Sequence, residues 1–210
     1  MEMREFTQFN YESETHKKIL NTAIELFATK GFGSVSMKDI ARVVGIKTSS
    51  IYYYYEAGKD ALIDDVLTHV VEDYRQYFNW LSNINSKVKT LEELMDNMFN
   101  EEFLTMRNPI GFLGMSLMIK EQHNNDFARK HVFEMFYDHS ITSMQADFDR
   151  LIEKGIIPPS DTKTLAMLFM FCIMASCDIR IHEYKGNKTP IDCDRMYNDL
   201  KKHLTYVLTN

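Results

Sequence analysis

The amino-acid sequence predicts an all-α protein, in which a small three-helix domain containing a helix-turn-helix precedes a larger helical domain. Apolar side chains recur at helical spacing through most of the chain, for example at Met37, Ile40 and Val44. No stretch shows the convincing alternation of a half-buried strand, although residues 51–55 are β-prone in composition. We predict a domain boundary near residue 60, which gives domains of residues 1–60 and 61–210.

Length and composition favour a cytoplasmic globular protein. The chain has 210 residues, of which 45% are hydrophobic, so it is long enough to bury a sizeable core. The N-terminus is acidic and aromatic and does not resemble a secretory signal. The longest apolar run, residues 165–177, falls short of the roughly 20 residues that span a bilayer. We therefore expect no membrane segment.

The charge is distributed unevenly along the chain. The net charge of −6 taken alone argues against nucleic acid as a partner. Residues 16–59, however, carry seven lysine and arginine side chains against three acidic ones, so the remainder of the chain is strongly acidic. A small basic head on an acidic body indicates a DNA-binding domain joined to a body with another task.

Local signals define the first two helices. The first is predicted from Thr15 to Lys30, and the second begins after Ser36. Ser36 can cap the second helix, with Asp39 three residues later in position to complete a capping box. Gly45 is predicted to end this helix in the left-handed conformation.

The third helix places a polar and aromatic surface outside the domain. After the turn, Ile46 and Ile51 are predicted to point inward, and Tyr55 is predicted to lie in the core. The remaining side chains present hydroxyl, phenol and amino groups to solvent, which suits a DNA major groove. They are Lys47, Thr48, Ser49, Ser50, Tyr53 and Tyr54, with Tyr52 partly buried.

The rest of the chain is predicted to form six more helices. A polar loop between residues 183 and 190 separates the last two, and Met196, Leu200, Leu204 and Val207 are predicted inward on the final helix. The predicted helices are Asp60–Leu81, Leu91–Thr105, Gly111–Gln122, Asp126–Lys154, Thr162–Asp178 and Asp192–Leu208.

The stretch ILNTAIELFATKGFGSVSMKDIARVVGIKTSSIYYYYEAGKDAL resembles the N-terminal domain of the TetR family of bacterial transcriptional repressors. The match rests on an ordered set of residues: Phe27, Gly31, Phe32, Ile40, Ala41, Gly45, Ile51, Tyr52, Lys59, Asp60, Ala61 and Leu62. The resemblance implies an all-helical homodimer, whose heads bind a double-stranded DNA operator and whose body binds a small-molecule effector. We expect a regulator and not an enzyme, since no catalytic motif is found, and we expect no cofactor.

The resemblance also assigns DNA contacts to individual positions. It places Thr48, Ser49, Ser50, Tyr52 and Tyr53 where the recognition helix faces bases, Ser36, Tyr54 and Lys59 where phosphates are contacted, and Lys38 where a base edge is sometimes reached. Lys47 stands where a capping serine or threonine is usual, which makes Thr48 the alternative cap. Residues 56–58 form a turn one residue longer than the commonest one.

The body is rich in methionine and phenylalanine, which either line an adaptable cavity for an apolar effector or fill a solid core. The candidate effector residues are Trp80, Phe103, Phe112, Met115, Met118, Phe133, Phe136, Tyr137, Met170 and Met174. The last two long helices are predicted to form a four-helix bundle with their copies in the dimer. The candidate dimerisation residues are Met167, Phe171, Met196, Leu200 and Leu204.

Two other functions remain open on the sequence. Cys172, Cys177, His182 and Cys193 allow a metal or redox sensor, but their spacing does not place them on one helical face, so we predict no metal site. A helical ligand-binding protein or enzyme with merely structural N-terminal helices is the alternative to a DNA-binding regulator. The sequence contains no glycine-rich phosphate loop, paired metal motif or nucleophile elbow.

Overall fold

The computed structural model describes residues 11, 13–99, 109–184, 186 and 188–209, which fold into helices joined by short turns. The chain divides into two compact units. Unit 1 comprises Met1–Gln76 and Pro109–Val132, and unit 2 comprises Tyr77–Asn108 and Phe133–Asn210. The predicted domains, residues 1–60 and 61–210, separate DNA binding from effector binding and dimerisation. The two units describe only which residues pack together, so the predicted boundary stays a prediction.

Unit 1 begins with the three predicted short helices. They are α1 (Glu14–Lys30), α2 (Met37–Val44) and α3 (Thr48–Tyr54), and a 3₁₀ turn at Phe32–Ser34 separates α1 from α2. Ile19, Phe27, Ile40 and Ile51 are almost completely buried. Because helices this short enclose little volume, their core needs further apolar surface.

Later helices supply that surface within unit 1. Helix α4 (Lys59–Asn85) contributes its residues up to Gln76, with Leu62, Val66 and Leu67 fully buried. Helices α6 (Pro109–Glu121) and α7 (Asp126–Val132) complete the unit. Helix α6 packs on α1, and the Lys120 amino group donates to the Ala28 carbonyl oxygen at 3.1 Å.

Gly114 permits a close approach between α6 and α4. A Cβ atom at this position would lie 2.6 Å from Cγ2 and 3.3 Å from Cγ1 of the buried Val70 side chain. Valine is stiff at χ1, so its methyl groups cannot rotate away cheaply. Glycine is therefore required here by packing.

Unit 2 is built on the remaining helices, α5 (Leu91–Met98), α8 (Ser140–Glu153), α9 (Thr162–Tyr184) and α10 (Cys193–Thr209). Its core includes Phe148 and Phe169, whose ring centroids are 5.9 Å apart, and Phe99, which lies 5.5 Å from Phe169. The Asn85 side-chain amide donates to the buried Asp147 carboxylate at 2.6 Å, which fixes the end of α4 within this unit.

Several predictions about the later helices are wrong in detail. The helix predicted from Leu91 to Thr105 ends at Met98, with Phe99 as its C-cap. The stretch predicted as one helix from Asp126 to Lys154 contains a π-helical segment, Phe133–His139, between α7 and α8. The Ser140 hydroxyl donates to the Met135 carbonyl oxygen, five residues earlier, at 2.7 Å. Apolar spacing did not reveal the segment because the chain stays helical through it.

Val207 is a further correction, since its side chain is 55% exposed and Leu208 is buried instead. Val207 comes three residues after Leu204 and seven after Leu200, so helical spacing places it on the same side of the helix as these residues. Its exposure near the end of α10 therefore could not be predicted from spacing.

No helix among the described residues is long and apolar enough to cross a membrane.

A histidine and a carboxylate lie unusually deep on α4. His69 is 3% exposed, and its Nε2 atom lies 3.8 Å from Oδ2 of Asp73. The other carboxylate oxygen of Asp73 is buried and has no hydrogen-bond partner among the described residues. Burial raises the pKa of Asp73 to about 7, with a further contribution from the Glu72 charge, and burial lowers the pKa of His69 to about 4. Burial thus disfavours the charged form of both side chains.

Gly114→Ala is expected to destabilise the protein. Alanine gains about 1 kcal/mol of helix propensity over glycine, but overpacking against Val70 costs about 1–3 kcal/mol. We expect a net loss of about 1 kcal/mol in urea denaturation. Gly33→Ala, where an added Cβ meets nothing within 4 Å, is the matched control. Adding Val70→Ala should make Gly114→Ala harmless; equal effects at positions 114 and 33 would contradict the packing explanation.

Asp73→Asn is expected to change how stability depends on pH. The Asp73 pKa is raised from 3.8 to about 7, so between these values the folded chain binds the extra proton and the carboxyl group lowers stability as pH rises. The advantage of Asp73→Asn over wild type should thus grow from pH 4 to pH 8, to at most about 4 kcal/mol. Urea denaturation at both pH values measures it, with the exposed Asp64→Asn as control. A pH-independent difference would contradict the assignment.

Candidate nucleic-acid interface

Helix α2 is fixed at both ends, which defines the turn that follows it. The Ser36 hydroxyl oxygen accepts from the Asp39 backbone N–H at 3.2 Å, and the Asp39 carboxylate accepts from the Ser36 backbone N–H at 3.0 Å, which confirms the predicted capping box. Hydrogen bonds from Ser36 and the nearby Arg42 charge lower the pKa of Asp39. Gly45 ends the helix with φ 80°, as predicted, a conformation that favours glycine.

Helix α3 begins without a side-chain cap. Lys47 occupies the N-cap position in extended conformation, and its side chain makes no capping hydrogen bond. Thr48 is the first helical residue, so the alternative of Thr48 as the cap is wrong. Helix α3 therefore starts at a residue whose side chain accepts no hydrogen bond from the free backbone N–H groups of the first turn.

The outer face of α3 exposes most of the predicted DNA-contacting side chains. Tyr53 is 78% exposed and Tyr52 is 44% exposed, whereas Ile51 is completely buried on the opposite face. Ser36, Lys38, Lys47 and Ser49 are exposed, and Thr48, Ser50, Tyr54 and Lys59 are half-buried. Lys38 on α2 and Lys47 at the start of α3 both belong to unit 1.

Tyr54 is held by α1. Its hydroxyl group lies 2.7 Å from Oγ of Ser13, and its ring stacks on His16 with the centroids 5.2 Å apart and an angle of 15° between the planes. Ser13 is also the N-cap of α1, since its hydroxyl oxygen accepts from the His16 backbone N–H at 3.1 Å. Tyr54 thus packs against Ser13 and His16, and its contact with a DNA phosphate stays a prediction.

Tyr55 and Lys59 join α3 and α4 to the rest of the head. The Tyr55 hydroxyl group donates to the Asp65 carboxylate at 2.7 Å and lies 2.8 Å from Nε2 of His16. The Lys59 amino group donates to the Phe32 carbonyl oxygen, at the turn that precedes α2. Sequence analysis did not identify Ser13, His16 and Asp65, and only Ser13 had a local signal, as a serine directly before an amphipathic helix.

The candidate effector residues divide between the two units. Met115 and Met118 are buried in unit 1, and Met170 is buried in unit 2. Trp80 and Met174 are half-buried in unit 2. Phe133 and Tyr137 lie at the surface, with Phe133 65% exposed. Phe103 lies outside the described residues, as do the side chains of Phe112 and Phe136.

The candidate dimerisation residues include an exposed apolar group on α9. Phe171 and the adjacent Leu168 are each 54% exposed, and Met167 is 37% exposed. On α10 the predicted residues Met196, Leu200 and Leu204 are half-buried. Large apolar side chains this exposed on neighbouring turns of one helix are typical of a protein interface.

The candidate sensor residues of unit 2 are described in part. Burial raises the pKa of the half-buried Cys172 thiol, and Cys193 is buried on α10. Among the described residues, no group of three or more histidine, cysteine or acidic side chains is arranged to hold a metal ion. The side chain of Cys177 lies outside the described part.

Comparison with known proteins identifies the head. Residues 19–66 match the model of bacterial regulatory proteins of the tetR family. The chain is 33% identical over 79 residues to the HTH-type transcriptional regulator LuxR of Vibrio harveyi, and this alignment spans 37% of each protein. It is 26% identical over 151 residues to IcaR of Staphylococcus aureus, the negative transcriptional regulator of the biofilm operon icaADBC, covering 64% of this chain and 76% of IcaR.

Solved structures extend the likeness in fold beyond the head. The structure of a Saccharomonospora viridis transcriptional regulator in complex with choline matches with a TM-score of 0.70 at 18% identity, covering 91% of this chain and 96% of that one. Curated relatives such as LuxR are matched over well under two thirds of their length. The helix-turn-helix geometry and these comparisons lead to one conclusion: residues 19–66 match the tetR family of bacterial regulatory proteins, and the chain as a whole is similar in fold to a solved helical transcriptional regulator.

Proposed function

We propose that this protein is a ligand-responsive transcriptional repressor, which binds a pseudo-palindromic DNA operator as a homodimer and leaves it when a small molecule binds the C-terminal domain. The observation that carries the proposal is the exposed outer face of α3, on which Tyr53 stands 78% exposed opposite a completely buried Ile51. Tyrosine side chains combine an apolar ring with a polar hydroxyl group, so an exposed face of this kind suits contact with a partner.

The proposed DNA contacts are of two kinds: contacts to phosphates, which position the protein on the duplex, and contacts to base edges, which recognise the sequence. Ser36, Lys38 and Lys47 are exposed at the starts of α2 and α3, where hydroxyl and amino groups can bind phosphate oxygens. Tyr52 and Tyr53 face outward where a recognition helix meets base edges. Since α3 contains no Arg, Asn or Gln, discrimination rests on hydroxyl contacts, on tyrosine packing against thymine methyl groups and on DNA shape.

The homodimer supplies the second recognition helix. Met167, Leu168 and Phe171 form an exposed apolar group on α9, and burial of such a surface by a second copy is favourable. Two heads related by a two-fold axis would enter successive major grooves about 34–36 Å apart. Met196, Leu200 and Leu204 of α10 are proposed to complete the interface.

The effector is proposed to be a small, mainly apolar molecule. Methionine and aromatic side chains of the body adapt readily to such ligands. That a small molecule can bind in this fold is supported by the Saccharomonospora viridis structure, which contains choline. Repression is favoured over activation by the likeness to IcaR, a negative regulator. The dimer would have two conformations that differ in the distance between the two heads. The ligand would act by binding more tightly to the conformation whose heads do not fit the operator.

Affinity for random duplex DNA, measured against salt concentration, tests the proposal. We expect log K to fall steeply with log salt, because phosphate contacts release counterions. Lys47→Ala should reduce the slope by about 1 per subunit, whereas Lys163→Ala, at an exposed lysine of α9, should leave it unchanged. A flat salt response of the wild-type protein would contradict DNA binding and favour the alternative, a helical ligand-binding protein or enzyme.

A further inference from the structure

The recognition helix α3 lacks the local features that stabilise a helix. It has seven residues, no side-chain N-cap at Lys47 and no glycine at its C-terminus, where Tyr55 adopts φ −129° and ψ 70°. An isolated helix of this length is unstable in water, because nucleation costs more than two turns return. Its direction is therefore set by the side chains that hold it against the head.

His16 contacts α3 and α4 at the same time. From the first turn of α1, its ring stacks on Tyr54, the last residue of α3, with the centroids 5.2 Å apart. Its Nε2 atom lies 2.8 Å from the hydroxyl oxygen of Tyr55 and 3.3 Å from Oδ2 of Asp65 on α4. The side chain is only 13% exposed. One imidazole ring thus joins the end of the recognition helix to two supporting helices.

The hydrogen-bond directions define which nitrogen of His16 carries a proton. The Tyr55 hydroxyl group donates to Asp65 at 2.7 Å, so its oxygen is an acceptor for His16. Nε2 of His16 must then be the donor, with Asp65 as a second acceptor. The Nδ1 atom is buried without a partner among the described residues. Aliphatic side chains of similar size could fill this space but could not make this bond.

We infer that His16 is a positioning residue for DNA recognition: it touches no DNA, and it sets the direction of α3 and thereby the bases that Tyr52 and Tyr53 reach. The inference rests on the proposed DNA-binding function. Binding constellations need their groups within about 0.5 Å and 10–20° of the productive geometry, which neighbouring side chains must enforce. The ring contact to Tyr54 and the bond to Tyr55 act on the end of α3 directly after these two tyrosines.

The Ser13 contact strengthens the same anchor. Its oxygen lies 2.7 Å from the Tyr54 hydroxyl group and caps α1 through the His16 backbone N–H. The position of the His16 side chain is therefore linked to that of Tyr54 through both ring and backbone. Losing the imidazole removes the ring contact to Tyr54 and the bond to the Tyr55 hydroxyl group, while the Ser13–Tyr54 and Tyr55–Asp65 contacts stay.

The test uses duplexes that the wild-type protein itself enriches from a randomised 20-base-pair library, compared with the unselected pool. His16→Leu keeps apolar volume and loses the bond, and His16→Gln keeps a side-chain donor. His123→Leu, at an exposed histidine of unit 1, is the matched control. Melting temperatures are measured for every variant.

We expect His16→Leu to lose about tenfold in affinity for the enriched duplex, the effect of one hydrogen bond, and less than twofold for the unselected pool. His16→Gln should recover part of the loss, and His123→Leu should match wild type. If His16→Leu does not fold, Tyr55→Phe removes the bond to His16 together with the Tyr55–Asp65 bond and should show a selective loss at least as large.

Three results would overturn the inference. The first is full affinity of folded His16→Leu for the enriched duplex. The second is an equal loss of affinity for both DNAs, which would mean that His16 has a purely structural role. The third is a Tyr55→Phe variant that keeps the full wild-type affinity for the enriched duplex. If the wild-type protein enriches no sequence from the library, the proposed function itself fails, and the inference fails with it.

Discussion

The attachment of α3 to the first turn of α1 is the constraint on which the rest of the head depends. Helix α2 carries its own capping box and its own terminal glycine, but α3 has neither. Ser13 and His16 hold Tyr54, and His16 with Asp65 holds Tyr55. These contacts use only the buried edge of α3, so the outward side chains stay available for DNA.

The helices that follow the head extend this support in unit 1. Helix α4 supplies Asp65 to the α3 anchor, and its buried residues Leu62 and Val66 close the small core. Helix α6 packs on α1 and passes close to Val70 because position 114 is glycine. Part of the effector domain predicted from sequence thus packs in the same unit as the head. A displacement of this part of α4 would move Asp65, which holds Tyr55 at the end of α3.

The sequence was sufficient for the features that depend on neighbouring residues. Helix spacing, the Ser36–Asp39 capping box and the Gly45 turn are all local, and each prediction is confirmed. It was insufficient where a tertiary partner decides the role of a side chain. Tyr54 resembled an outward phosphate contact, yet it packs against Ser13 and His16, which are about forty positions away. The π-helical segment Phe133–His139 was missed because seven residues are too few to show a change of apolar period within a longer helical stretch.

Amide hydrogen exchange in the His16→Leu variant tests the central claim most directly, because it reports on α3 in the absence of DNA. If the first turn of α1 holds α3, the Tyr54 and Tyr55 amides should exchange about tenfold faster than in wild type, as one lost hydrogen bond implies. The amides of α2, which has its own caps, should be unchanged. Unchanged exchange in α3, or equal acceleration in α2 and α3, would contradict the account.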